Sequence, residues 1–204
     1  VFRIMSAPLI GIVETAPIFE ALLRMEEKAV QFLAVLDENG AVAGLVRNKE
    51  LIQFHRYGSI VLAREIGRAA TIEEVVRCCR RTPELVKALL DCGAHPRTIV
   101  RMITSICDAA TERLIVLAEA ELGPAPAAYA FVAHGSQGRQ EQTLFTDQDN
   151  TIIFAPPAGV TTRDPEEYFA ELGRRVCDGL NQAGYDYCRG NIMAKVARWI
   201  QPLT

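Results

Sequence analysis

The 204-residue sequence has no long apolar run, no leader-like start and no paired cysteine motif. No apolar stretch reaches the roughly 20 residues of a membrane-spanning helix, so we expect no membrane span. The segment Val1–Ile4 has neither the features of a signal peptide nor an initiator Met, which we expect of a fragment of a longer chain. Six cysteines without C-x-x-C spacing argue against a zinc site and favour a reducing, cytoplasmic compartment.

An excess of positive charge is also missing. The formal net charge is −3, which argues against a broad nucleic-acid-binding surface. Hydrophobic residues make up 50% of the chain and charged residues 23%, a balance typical of globular proteins. We therefore expect one large domain or two small ones, with no nucleic acid among the partners.

Residues 1–60 are predicted to form a small α/β unit. Proline is tolerated in the first turn of a helix, and apolar residues at three-and-four spacing follow it. Two short apolar runs flank a turn-forming segment, as in a hairpin. The expected elements are a helix from Ala16-Pro17, strands Phe32–Leu36 and Ala41–Val46 around the turn Asp37–Gly40, and a short helix from about Asn48 to His55.

This order of elements resembles one repeat of a CBS domain. The segments that carry the resemblance are Met5–Pro8, Ala16–Leu22, Val35–Gly40 and Gly44–Val46. In that family the last strand leads into a Thr and, three residues later, an Asp that often contacts adenosine ribose. Here those positions hold Arg47 and Glu50. Two interpretations stay open, a packing module and a regulatory ligand site, and the resemblance implies a homodimer formed through this module.

Residues 61–123 are predicted to form a helical linker or helical subdomain. Thr71 and Glu74 have the spacing of a capping box, in which the side chain of each residue bonds the backbone amide of the other. A long helix is expected from Pro96 to Leu122, because its apolar residues recur every three or four positions. Gly123 and the prolines after it end that helix.

Residues 124–204 return to a mixed pattern, so the fold class is predicted as α/β (α+β) with a partial mixed sheet. Two or three strands and one long helix make a thin layer, and we therefore expect the N-terminal part of a larger domain. The expected strands are Tyr129–Ala133, Thr151–Phe154 and Tyr185–Cys188, and the expected helices are Gln137–Gln142, Glu166–Ala183 and Lys195–Ile200.

Two short motifs between the first two of these strands suggest phosphate and metal chemistry. The small residues Gly135 and Ser136 can bring backbone amides close to a phosphate. Asp147 and Asp149 alternate around Gln148, so an extended segment points both carboxylates to one face. Two hard oxygen ligands on one face suit Mg²⁺, which favours carboxylates together with substrate phosphates.

The full string, Gly-Ser-x-Gly-Arg-x-Glu at 135–141 and Thr-Asp-x-Asp at 146–149, resembles the polymerase-β nucleotidyltransferase superfamily. Within it the string resembles the GlnD-like branch, and most of all the nucleotidyltransferases of unknown function that follow CBS domains in bacterial signalling proteins. The resemblance implies transfer of a nucleoside monophosphate from an NTP to a protein or small-molecule acceptor. Mg²⁺ or Mn²⁺ is the implied cofactor, and ATP and UTP both remain open as substrates.

The resemblance also implies a role for each motif residue. Glu141 is expected to pair with Arg139 or to support the turn, and His134 is interpreted as a strand-end residue. The superfamily takes a third carboxylate from a later strand, which is either Asp186 or a residue beyond Thr204. The alternative function is a non-catalytic nucleotide-binding or dimerisation module. The implied roles are catalysis and metal binding for Asp147 and Asp149, and phosphate binding for Gly135, Ser136 and Arg139.

Overall fold

The chain forms two compact units, Val1–Gly58 and Ser59–Thr204. The mixed α/β (α+β) class predicted from the sequence is confirmed, since helices and short strands alternate in both units. The structure is a computed structural model, and it describes residues 8–16, 18–48, 50–51, 59–91, 95–156 and 164–203.

The first unit is a three-stranded sheet with a helix. The first strand pairs in parallel with the second, and the second pairs antiparallel with the third. The elements are β1 (Gly11–Val13), α1 (Ile18–Glu27), β2 (Phe32–Leu36) and β3 (Val42–Arg47). Apolar side chains from the sheet and the helix make a small core, which contains Ile12, Ala21, Met25, Leu33 and Leu51.

The predicted turn between β2 and β3 is confirmed. The Gly40 amide donates to the Asp37 carbonyl at 3.0 Å, and Gly40 has a φ of 77°, which glycine adopts without a steric penalty. The helix predicted from Asn48 to His55 is helical at residues 48, 50 and 51, and its other residues lie outside the described part of the chain.

The second unit begins with four helices. They are α2 (Ser59–Arg68), α3 (Ile72–Cys79), α4 (Thr82–Asp91) and α5 (Pro96–Leu122). Both predicted ends of α5 are confirmed, since Pro96 occupies the first turn and the Gly123 amide caps the Glu119 carbonyl. Across the described ranges, none of the helices combines the length and apolarity needed to cross a membrane.

The predicted capping box at α3 forms in a modified way. The Glu74 amide donates to the Thr71 hydroxyl at 3.3 Å, as expected. The Glu74 carboxylate accepts at 2.6 Å from the Ala70 amide, one residue before the predicted donor. Both bonds satisfy amides near the helix start, where no intrahelical acceptor is available.

Two small sheets and a long helix complete the second unit. The central strand of the larger sheet pairs antiparallel with one neighbour and in parallel with the other, and the smaller sheet has one parallel pair. The larger sheet contains β4 (Tyr129–Ala133), β6 (Asn150–Phe154) and β8 (Ile200–Pro202) in the order β4-β6-β8, and the smaller sheet pairs β5 (Asp147–Gln148) with β7 (Asp186–Tyr187). The helices are the single turn α6 (Gly135–Gly138) and the long α7 (Pro165–Gln182).

Two predicted helices of this unit differ in the structure. Only Ala197–Trp199 of the predicted helix Lys195–Ile200 is helical, as one 3₁₀ turn, because Ile200 instead pairs with Ile152 in the sheet. The helix predicted at residues 137–142 starts two residues earlier, at Gly135, and stops where Gln140 takes a φ of 58°. In both places pairing or turn geometry overrides the local pattern.

Helices α5 and α7 pack against the larger sheet in one continuous core. Gly179 lets them approach closely, since a Cβ there would lie 2.7 Å from a Leu114 methyl carbon. The ring of Phe169 on α7 stacks on Phe154 with centroids 4.9 Å apart and tilts against Tyr129 at 5.0 Å. The segment predicted as a helical linker therefore shares its core with the larger sheet, whose central strand β6 begins directly after Asp149.

Candidate functional site

Residues 147–150 alternate between an open face and the core. Asp147 is exposed and Asp149 partly buried, whereas Gln148 and Asn150 are each 1% exposed. This is the two-residue period of an extended segment, and it places both carboxylates on one face, as the spacing predicts. The opposite face carries two amide side chains that must find partners inside the protein.

Gln148 anchors the motif to the long helix and to the segment before β7. Its side-chain amide donates to the Cys177 carbonyl at 3.0 Å and to the Tyr185 carbonyl at 3.1 Å. Buried amides with two well-placed acceptors are held in one orientation. The backbone between the two acids is therefore fixed by contacts on its hidden side.

Asn150 ties the same strand to the segment after β7. Its side-chain oxygen accepts from the Ala194 amide at 2.8 Å and from the Cys177 thiol at 3.4 Å. The backbone amide of Asn150 donates to the Ile192 carbonyl at 3.0 Å. Sequence reasoning missed Gln148 and Asn150 as functional residues, although the strict alternation of acid and amide was the signal that could have found them.

Gly135 lies directly against Asp149. A Cβ on Gly135 would lie 2.3 Å from the Asp149 Oδ2 atom, and Gly135 has a φ of 55°. A backbone hydrogen bond joins the same two segments, because the His134 amide donates to the Asp149 carbonyl at 2.8 Å. Only glycine allows this approach, so the Gly-Ser turn and the second acid form one contiguous surface.

Ser136 is linked to the residue before the first acid. Its hydroxyl lies 3.2 Å from the Thr146 hydroxyl, and the Thr146 carbonyl accepts from the Asp186 amide at 3.3 Å. Ser136 is also in the first turn of α6, where amides have no intrahelical acceptor. A hydroxyl and main-chain amides thus lie close to the acidic segment, and phosphate binding by Gly135 and Ser136 stays a prediction.

Arg139 and Glu141 form the ion pair that the sequence predicts, with Nε and Oε2 3.0 Å apart. Both side chains are well exposed, so the pair is weak and Arg139 can exchange its partner for a phosphate. Phosphate binding by Arg139 stays a prediction. His134 directly follows β4, and its ring Nε2 lies 2.9 Å from the Thr151 hydroxyl, which agrees with a strand-end role.

A thiol, and not Asp186, completes the cluster around the acid pair. Asp186 is the register partner of Asp147 in the parallel β5–β7 pair. The ligand atoms of Asp147, Asp149 and Cys188 all lie within 4.8 Å of one another, a group that does not include Asp186. Sequence reasoning missed Cys188 because its position depends on that register. A carboxylate from beyond Thr204 stays a prediction.

Cys188 is 7% exposed, and its surroundings oppose ionisation. Burial raises the pKa of the Cys188 thiol, and a hydrogen bond to the Asp149 carboxylate raises it further. The amides of Ile192 and Gly190 hydrogen-bond to the sulfur and lower that pKa in part. Mg²⁺ would therefore be held by the two carboxylates and not by the protonated sulfur.

The two acids fit a divalent cation. No ion pair neutralises Asp147 or Asp149 among the residues that the structure describes. Two adjacent carboxylates without a cationic partner favour a bound cation, and their oxygen atoms are the ligands that Mg²⁺ and Mn²⁺ take. The missing side chain at Gly135 leaves the space that the Asp149 carboxylate occupies.

The fold and this site together define a nucleotidyltransferase-like unit that follows a small α/β unit. The chain belongs to the family described as "Putative nucleotidyltransferase DUF294", whose profile matches residues 80–204. The CBS domain profile matches residues 1–57, which confirms the resemblance of the first unit. Comparison with curated proteins and with solved structures gives no significant match.

Proposed function

We propose that this protein is a bacterial, cytoplasmic signalling protein that transfers a nucleoside monophosphate from an NTP to a protein or small-molecule acceptor. The transfer depends on Mg²⁺ or Mn²⁺, follows the GlnD-like branch, and is regulated through the CBS domain. The observation that supports it best is the pair of unneutralised carboxylates, Asp147 and Asp149, packed against the Gly135 turn. ATP and UTP are both compatible with this proposal.

Each residue of the site has a defined task in such a transfer. Attack on the α-phosphorus expels pyrophosphate, and the reaction needs positioning and charge stabilisation. Asp147 and Asp149 would hold the cation, which would supply positive charge beside the phosphate oxygens when bound. Ser136 donates its hydroxyl to a β- or γ-phosphate oxygen, and the amides beside Gly135 donate without a side chain in the way. Arg139 neutralises phosphate charge.

The test is transfer from α-labelled ATP or UTP by the full-length protein with Mg²⁺. Asp149→Asn keeps the size of the side chain and removes its charge, and we expect transfer to fall by about 100-fold or more. The matched control is Glu112→Gln, which changes an exposed acid on α5 and leaves transfer unchanged. Wild-type transfer in Asp149→Asn would show that this mechanism is wrong.

A second candidate function is a regulatory module that binds nucleotide or pairs with a second copy without turnover. Its support is the first unit, which matches the CBS domain but holds Arg47 and Glu50 where that family has Thr and Asp. The Arg47 guanidinium bonds the Glu50 carboxylate directly, so this acid already has a partner. An adenosine ribose would have to displace that partner.

Calorimetry separates the two functions. Binding of ATP or UTP that requires Mg²⁺ and is lost in Asp147→Ala supports the transferase site. An affinity for AMP that is unchanged in Asp147→Ala would place the ligand in the CBS domain and support the regulatory module. Light scattering tests the proposed homodimer, and a dimer without nucleotide binding at millimolar concentration would favour a purely dimerising role.

A further inference from the structure

The donor atoms that converge at the site are not all oxygen. The carboxylate oxygens of Asp147 and Asp149 and the sulfur of Cys188 lie within 4.8 Å of one another. Oxygen donors alone suit Mg²⁺, whereas a thiolate selects softer cations. We propose that these three side chains form one binding site for a thiophilic divalent cation such as Zn²⁺, which competes with Mg²⁺. This inference deepens the proposed function, because it concerns the cation preference of the same acid pair.

The spacing suits one cation after small side-chain rotations. Tetrahedral zinc with bonds of about 2.1 Å to oxygen and about 2.3 Å to sulfur places neighbouring donors about 3.4–3.6 Å apart. The three donors of this site lie within 4.8 Å of one another. A closure of about 1 Å therefore brings them onto one ion, and water or substrate takes the fourth position as in catalytic zinc sites.

The fold places the sulfur at the acids through strand register. Cys188 directly follows β7, and the parallel pairing of Asp147 with Asp186 sets it level with Asp149. A turn closed by the Asn191 amide on the Cys188 carbonyl, at 3.0 Å, holds the residue in place.

The chemistry of loading is a simple exchange of a proton for a metal bond. The Cys188 S–H bond breaks, the proton leaves to solvent, and the sulfur lone pair forms the bond to the cation. The result is a site with two oxygen ligands and one sulfur ligand from this chain.

The probe is Co²⁺ alone, titrated into the full chain. Sulfur bound to Co²⁺ gives a ligand-to-metal charge-transfer band in the near ultraviolet, and carboxylates do not. We expect the band in the wild type and in Cys78→Ser, which removes a partly buried cysteine on α3. Cys188→Ser is expected to lose the band, and its Zn²⁺ affinity to fall by about tenfold or more. An unchanged band in folded Cys188→Ser would overturn the proposal.

A measurement on the unmodified protein guards against a variant that fails to fold. The ¹¹³Cd resonance of the cadmium-loaded wild type should lie in the range of sulfur-containing sites, and a resonance in the oxygen-only range would overturn the proposal. Failure of this proposal is distinguishable from failure of the transferase function. If the wild type shows no sulfur-to-cobalt band but binds NTP with Mg²⁺, only the proposal of a sulfur ligand is wrong. If the wild type shows the band but neither binds nor transfers a nucleotide, only the proposed transferase function is wrong.

Discussion

The two units treat their acidic residues in opposite ways. In the CBS domain, Glu50 follows the last strand and is bonded by Arg47 at an exposed position. In the second unit, Asp147 and Asp149 have no cationic partner within the described residues, and buried amides on the reverse face of the strand hold them. The difference teaches that an acid is available to a ligand when its position is fixed by something other than a counter-charge.

The largest effect is expected from Asn150→Ala, which removes the buried hydrogen bonds that fix the strand next to the two acids. The Ala194 amide and the Cys177 thiol would lose their buried acceptor, so we expect the free energy of unfolding to fall by about 2–3 kcal/mol. Denaturant unfolding measures it. Gln182→Ala removes an exposed amide of α7 and should change stability by less than about 0.5 kcal/mol. Equal midpoints for Asn150→Ala and the wild type would contradict the role of the buried amides.

Gly135→Ala tests whether the position of the Asp149 carboxylate matters, because it displaces that carboxylate without changing its charge. The new Cβ would collide with the Asp149 carboxylate, so we expect the affinity for Mn²⁺ to fall by about tenfold. Gly40→Ala is the matched control, because Gly40 also has a positive φ but has open space around it. Paramagnetic resonance of free Mn²⁺ gives both affinities. If the two variants bound Mn²⁺ equally well, contact between Gly135 and Asp149 would be irrelevant to the site.

The smallest effect is expected from Arg47→Ala, which would make the acid of the first unit resemble those of the second. The Arg47 hydrogen bond is the main reason that the pKa of Glu50 is lowered. A lowered pKa stabilises the fold above the ordinary carboxyl pKa, and this contribution is lost as the pH falls through the folded value. The variant should therefore show a higher Glu50 pKa in a carbon-13 NMR titration, with little change in stability.

Lys28→Ala removes another exposed cation of the first unit and should leave the Glu50 pKa at its wild-type value. A Glu50 pKa that did not rise in Arg47→Ala would mean that the ion pair does not control this carboxylate. The contrast between the two units would then need another explanation, since Glu50 would be as free to meet a ligand as the acid pair.

Local signals in the sequence were sufficient for most of the fold. Helix α5 was predicted at both ends because a proline and a glycine mark them, and the turn at Gly40 because Asp, Asn and Gly favour turns between two apolar runs. The predicted helix Lys195–Ile200 failed because Ile200 gains more from pairing with Ile152 in the core than from continuing a helix. That gain depends on a strand almost 50 residues away, which local patterns do not contain.

The candidate site was predictable to the same extent. The acids and the Gly-Ser turn are a contiguous motif, and the two-residue period correctly placed both carboxylates on one face. Cys188 was missed because only the register of β5 against β7 brings it to Asp149. Asp186 was considered because it is acidic, and it pairs with Asp147, but the group of ligand atoms within 4.8 Å of one another contains Cys188 and not Asp186.

The sequence separation of the bonds from the buried amides also predicts an order of events during folding. Gln148 reaches Tyr185 across 37 residues and Asn150 reaches Ala194 across 44. Contacts that close such long loops form late, after the local helices and turns. A chain that has left the ribosome only as far as Phe154 therefore carries the whole sequence motif but lacks Cys188 and the buried partners of Gln148 and Asn150. We expect the site to be able to hold a ligand only after the segment around Ala194 has formed its hydrogen bond to Asn150 on β6.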